Sequence, residues 1–192
     1  MRACALRRTL EGMGTVPLPV PLDDSYWLID GQLLAGEYPG HWDDDVAEGQ
    51  LNRLLDAGIR SFIDLTEKTD PLEPHEPMLR QLASERSIEV KYQRLPIRDM
   101  DVPTSERMSE ILDAIRNELA AGRPVFFHCW GGIGRTGTVA GCWLREEGQT
   151  CDDALARINE LRAPTPDGWK DSPQTNAQRA FVRTWVPAPR KS

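Results

Sequence analysis

"VFFHCWGGIGRTGTVAGCWL", residues 125 to 144, runs from three apolar residues into a His-Cys pair, passes three glycines in four positions, and ends on Arg-Thr-Gly and a second apolar run. The first run, bounded by a glycine-rich turn, reads as a buried strand ending at Cys129, and the second reads as a helix beginning near Arg135. Trp130, Gly131, Gly132, Ile133 and Gly134 then form a loop at the carboxyl end of a strand, where α/β sheets bind their ligands. Glycines let successive N–H groups turn inward, and the helix start adds its positive end, so the loop is an anion cradle about the size of one phosphate. A thiol facing such a cradle is favoured as the nucleophilic thiolate. Arg135 can grip two oxygens of the same anion in a bidentate fork, which a lysine could not.

Outward from this loop the pattern alternates. "YWLIDGQLLAGEYPG" reads as two short strands around an Asp30-Gly31 hairpin turn. "DDDVAEGQLNRLLDAG" reads as a capped helix with Val46, Leu51, Leu54 and Leu55 at helical spacing. "IRSFIDL" is a strand, "EPMLRQLASER" a helix, "IEVKYQRLPI" a strand and "SERMSEILDAIRNELAAG" a long helix, and further helices begin near Cys151 and Gln174. This alternation predicts an α/β fold with a central, parallel-rich mixed sheet flanked by helices. A chain of 192 residues suits one domain. We place it at residues 26–186, after a proline-containing arm at 1–25 ("VPLPVPLDD") and before a frayed tail at 187–192.

Composition limits the partners. Acidic residues outnumber basic ones, 30 to 23, for a formal charge of −7, which argues against broad binding of nucleic acid or of anionic membrane surfaces. No apolar run reaches the length of about 18 residues that a membrane span needs. "MRACALRRTLEGMG" lacks the continuous apolar core of a secretory signal, so a cytoplasmic protein is expected. Cys4, Cys129, Cys142 and Cys151 have neither zinc-site spacing nor disulfide-scaffold density, and His41, His75 and His128 are scattered; no metal or cofactor is expected.

"HCWGGIGRTG" carries the His-Cys, middle Gly132, Arg135 and Thr136 of the H-C-x-x-G-x-x-R-[S/T] signature, and so resembles the cysteine-dependent protein tyrosine phosphatases. The chain is similar to the small dual-specificity type, and its loop to that of the kinase-associated phosphatase group. "LPIRDMDVP" (95–103) resembles the acid loop of that family and "SPQTNAQRAFV" (172–182) its glutamine loop. The resemblance implies a protein tyrosine phosphatase-like fold and hydrolysis of phosphomonoesters through a cysteinyl-phosphate. It makes Cys129 the nucleophile, Arg135 the phosphate clamp and Asp99 the general acid. Thr136 would offer its hydroxyl to the sulfur, His128 would orient the loop, and Gln174 or Gln178 would position the attacking water. Trp130 to Arg135 would bind substrate, a phosphorylated protein or small phosphomonoester, and the protein would act as a monomer.

Each residue also has a plainer reading. His128 alone is a hydrogen-bonded core histidine. "RDMDVPT" alone is a solvated loop before a helix cap at Thr104 or Ser105, and Asp101 offers the same chemistry as Asp99 two residues away. The two glutamines alone are an exposed helix start. Trp130, Trp143, Trp169 and Trp185 are core or rim fillers, although Trp130 could wall the pocket. Two other functions use the same loop: a rhodanese-type sulfurtransferase, which needs neither acid nor glutamine loop, and a catalytically silent phosphate-recognition module. Nucleotide-binding loops are excluded, because the Gly-Lys-Ser/Thr ending and G-x-G-x-x-G spacing are absent. The resemblance also favours a protein or small monoester over a highly charged lipid head group, since Trp130 to Gly134 are all uncharged.

Overall fold

The Asp30-Gly31 turn folds back the first two strands, with Gly31 at φ 68°, a backbone angle that suits glycine. Strands β1 (Ser25–Ile29) and β2 (Leu33–Gly36) pair antiparallel across it. The computed structural model describes residues 18–186. Along it follow α1 (Asp44–Asp56), β3 (Ser61–Asp64), α2 (Glu76–Glu85), β4 (Lys91–Arg94), α3 (Ser105–Ala120), β5 (Val125–His128), α4 (Arg135–Glu146), α5 (Cys151–Arg162) and α6 (Asn176–Thr184). The sheet order is β1-β2-β5-β3-β4, and every pairing except β1–β2 is parallel. The expected parallel-rich mixed sheet is the one found.

Strand alternation sends side chains into two cores. Leu33, Ala35, Ile63, Val125 and Phe127 face a cluster shared with residues of α3, α4, α5 and α6, including Ile111, Val139, Ile158 and Val182. Leu34, Phe62 and Phe126 face the other side, against Leu51, Leu54 and Leu55 of α1 and Leu79 and Leu82 of α2. In the central parallel strands Gly36, His128 and Asp64 stand in one register row. That row marks the carboxyl end of the sheet, so the 129–134 loop emerges between two flanking strand ends.

Four details differ from the sequence reading. Val46 is exposed and Ala47 is buried instead, because α1 starts under an Asp43 cap that accepts from Asp45 N at 3.0 Å and so sets the helix phase. Helix α6 begins at Asn176 rather than near Gln174, since Thr175 and Gln178 form a reciprocal capping box. The third strand of the parallel set keeps only Lys91–Arg94, at an exposed edge. Packing also starts before residue 26: Leu22 is buried in the second core and Pro19 O accepts from Trp27 Nε1. Residues 1–17 of the arm, with Cys4, and the 187–192 tail lie outside the described residues. Among the described residues no helix is long and apolar enough to cross a membrane.

Under the carboxyl row lies a buried polar knot. His75 and His128 meet edge to face at 5.0 Å between ring centroids, and Tyr38 packs against both. Burial, and then the neighbouring His128, push His75 down from 6.5 to about 3; burial likewise lowers His128, against the pull of Asp64. Burial would raise Asp64, but His128 and bonds from Thr66 and Tyr92 outweigh it and take the carboxyl down to about 2. Glu37 moves the other way, to about 7, through burial and its neighbour Asp24. An unfolded chain protonates its histidines near 6.5 while the folded chain refuses the proton, so their stabilisation is complete above that pH and is lost on acidification. Glu37, raised in the folded state, contributes stability below its ordinary range that fades as pH rises through about 7. Two histidines outweigh one carboxyl, so urea stability should fall from about pH 6.5 towards about pH 4.5, by up to about 1.4 kcal/mol per pH unit for each proton taken up. His75→Gln should flatten that slope; a wild-type curve that rises or stays level over this range would contradict the account.

Candidate active site

Strand β5 carries the chain to Cys129, which is 3% exposed. The loop beyond is tied to its neighbours by main chain: Tyr38 N donates to Trp130 O at 2.9 Å and Leu65 N donates to His128 O at 2.9 Å. Gly132 has φ 65°, and a Cβ there would lie 2.8 Å from Glu37 N and from the carbonyl carbon of Gly36. Only glycine fits that close approach at that angle. Gly134 caps α4 with backbone alone. No described carbonyl accepts from the amide N–H groups of residues 130–135. The result is a concave set of free donors at a helix N-terminus, the form of an anion site.

Arg135, the first residue of α4, is 1% exposed. Its Nη1 donates to Asp70 Oδ2 at 2.7 Å and to Ile97 O at 3.2 Å. Its Nη2 lies 3.0 Å from Asp99 Oδ1 as an ion pair, at an angle that makes no hydrogen bond, and Nε and Nη2 are buried without a hydrogen-bond acceptor. Burial works against the charge, yet Cys129, Asp70 and Asp99 raise the guanidinium above its ordinary value. The side chain is therefore a fixed cation with one edge anchored and the other unspent.

Asp99 and Asp101 part company here. The Asp99 carboxylate reaches Arg135 and is half exposed, whereas that of Asp101 accepts from Val102 N at 2.8 Å, away from the arginine. Thr104 caps α3, accepting from Arg107 N. Gln178 is completely buried, and both ends of its amide are engaged: Oε1 accepts from Thr175 N at 3.0 Å and Nε2 donates to Asp101 O at 3.1 Å. It ties α6 to the acid loop and keeps one N–H and one lone pair unspent, both amide atoms lying 3.1 Å from the Cβ position of Gly134. Gln174 is exposed, with Oε1 3.5 Å from the Cβ position of Gly134. Thr136 is buried and its hydroxyl donates to Gly36 O at 3.3 Å rather than to the sulfur. His128 is buried, stacks on Phe126 and sets Nδ1 3.4 Å from Cys129 O. Trp130 and Met100 are exposed, at 44% and 51%, and each offers apolar surface on a loop that meets the cradle; Trp143 and Trp185 are core residues, while Trp169 is exposed.

Asp64, His75 and His128 set ligand atoms within 4.8 Å of one another and are the described residues that could hold a metal. The acid is already spent. Oδ1 of Asp64 accepts from Thr66 N and Oγ1 at 2.8 and 2.6 Å, and Oδ2 accepts from Tyr92 OH and Arg94 Nε at 2.6 and 3.0 Å. A guanidinium thus occupies the approach a cation would need, and the trio reads as a structural knot under the loop.

Sequence reasoning missed Asp70, Ile97 O, Gly36 and Ser172, whose Oγ donates to Ile133 O at 2.7 Å. For Asp70 a signal existed: it lies six residues beyond β3, on the sheet end that carries the loop. The rest act through backbone or hydroxyl groups, which leave no mark in residue type.

Residues 39–149 match the family described as Tc-R-P, polymorphic toxin system, DSP-PTPase phosphatase. The putative tyrosine phosphatase 067L of Invertebrate iridescent virus 3 is 30% identical over 124 residues, 62% of this chain and 45% of that protein. The chain spans about a third to just under half the length of the curated relatives it matches. Among solved structures, Tk-PTP in its active form is 25% identical with a TM-score of 0.61, over 83% of this chain and 94% of that one. Kinase associated phosphatase, with its catalytic site cysteine substituted by serine, is 21% identical with a TM-score of 0.61, over 78% and 83% of the two chains, and shows the fold alone. The matched residues 39–149 make up more than half of the chain and run from just past β2 to the end of α4, taking in the acid loop and the whole cradle; the chain belongs to the DSP-PTPase phosphatases of polymorphic toxin systems.

Proposed function

We propose that the protein hydrolyses phosphomonoesters through a cysteinyl-phosphate, and that residues 26–186 are its working domain. The observation that carries this reading is the unspent edge of Arg135. Nε and Nη2 are parallel donors, buried and without hydrogen-bond acceptors, beside a loop of free amides. Two equatorial oxygens of a phosphate satisfy that edge and the amides hold the rest.

Cys129 Sγ attacks phosphorus, forming the S–P bond as the bond from phosphorus to the leaving oxygen breaks; Asp99 gives that oxygen its proton. Water held near Gln174 or Gln178 then attacks phosphorus, Asp99 takes the water's proton, and the S–P bond breaks to release inorganic phosphate and the thiolate. Thr136, bound to Gly36 O only through a long contact, is the hydroxyl nearest in sequence that could turn to the departing sulfur. His128 holds the loop from below as a buried ring. A sulfurtransferase would have no use for Asp99 on the arginine. The uncharged loop, with Trp130 and Met100 exposed beside it, suits an aromatic phosphate ester on a protein or small molecule rather than a highly charged head group.

Hydrolysis of p-nitrophenyl phosphate tests the reading. Cys129→Ser should abolish turnover yet still bind phosphate, and Arg135→Lys should lose most of the rate with its fork. Trapping the phosphoryl group on any residue other than Cys129 would refute the mechanism. For the acid, Asp99→Asn should slow phenyl phosphate by about a hundredfold or more, and a substrate with an activated leaving group far less. Asp101→Asn should change little, and an exchange of the two phenotypes would show that Asp101 is the acid.

A further inference from the structure

Asp70 stands outside the cysteine-to-arginine motif, 65 positions before Arg135, in the loop from β3 to α2. Its carboxylate is 9% exposed, and Oδ2 also accepts from Glu67 N at 3.3 Å. Nη1 of a guanidinium carries two hydrogens. One goes to Asp70 and the other to Ile97 O, so this nitrogen is fully used and has no hydrogen left for an anion. A guanidinium held at one terminal nitrogen by a carboxylate and a carbonyl cannot turn about its Nε–Cζ bond, and its opposite edge is fixed in direction.

We propose that Asp70 is a positioning residue: it locks the Arg135 plane so that Nε and Nη2, rather than the terminal pair Nη1 and Nη2, face the phosphate cradle. The consequence for rate rests on the phosphatase reading; the consequence for the arginine does not. Asp70 differs in this from Asp99, which meets the same guanidinium but is half exposed and attached at no hydrogen-bonding angle. The buried acid sets the plane and the exposed acid is free to move. Positioning acts on the transition state more than on ground-state attraction, because removing a carboxylate also removes repulsion of the substrate dianion. Loss of Asp70 should therefore lower kcat without raising KM when the rate is counted per folded molecule, and the circular dichroism and urea midpoint of the variant give the folded fraction by which it is normalised.

The full chain, labelled with nitrogen-15 at arginine, provides the test. Wild-type Arg135 should show separate Nη1 and Nη2 proton signals from hindered rotation, and Asp70→Ala should merge them. Asp70→Asn, nearly isosteric, serves if the alanine variant does not fold, and should broaden the same signals. With p-nitrophenyl phosphate, either variant should lose about tenfold to a hundredfold in kcat, and should add nothing when Arg135 is already lysine. Signals that stay separate in both variants, or a loss that adds in full to Arg135→Lys, would overturn the proposal. A wild-type protein with no turnover would instead sink the phosphatase reading, and the arginine signals would still decide the role of Asp70.

Discussion

A guanidinium that is 1% exposed is the constraint around which the carboxyl end of this sheet is arranged. A buried charge without partners costs several kcal/mol, more than most single contacts return. Arg135 therefore obliges other segments to come to it. Asp70 comes from the loop after β3, and Ile97 O and Asp99 come from the loop after β4. Two loops far apart in sequence are thereby drawn over the start of α4. The β3 loop is pinned again by Leu65 N on His128 O, and the β4 loop by Ile97 N on Leu65 O. The arginine binds together the same segments that a substrate would meet.

The sheet supplies the rigidity this requires. Gly36, His128 and Asp64 share one row across β2, β5 and β3, and each does a different task there. Gly36 leaves room for Gly132 and accepts from Thr136; His128 fills the floor; Asp64 gathers Thr66, Tyr92 and Arg94. Opposite, Ser172 holds Ile133 O and Gln178 holds Asp101 O, so the segment before α6 and α6 itself brace the cradle and the acid loop. A loop of three glycines would be mobile alone, and it is fixed here by contacts on all sides rather than by its own side chains.

Much of this was legible in the sequence where the signal is local. The strand, glycine loop and helix around Cys129 follow from periodicity and glycine placement, and the layered sheet follows from alternation. The failures are long-range. Asp70 contacts a residue 65 positions away, and no spacing rule links the two. The sequence leaves Gln174 and Gln178 both open as water holders, and nothing in it marks that Gln178 Nε2 also reaches Asp101 O, 77 positions away. Val46 has the residue type of a core position, and one-residue phasing by the Asp43 cap turns it outward. Residue type identifies what can react; it does not say which side chain the fold has already spent.

That distinction divides the two carboxylates on Arg135. Both offset its charge, but a phosphate dianion in the cradle would add negative charge beside them, and one would have to give way. Asp70 is nearly buried and shares its oxygen with Glu67 N, so leaving would strand a buried carboxylate and an arginine nitrogen together. Asp99 is half exposed and carries no hydrogen bond from the arginine, so it can yield Nη2 at small cost and, in the mechanism proposed above, turn towards the leaving oxygen. In the proposed mechanism the displacement that frees the fork for phosphate also moves the Asp99 carboxylate off the cation, to where it can take up a proton and pass it to the leaving oxygen. On that proposal, substrate binding and general-acid placement are coupled through one guanidinium nitrogen.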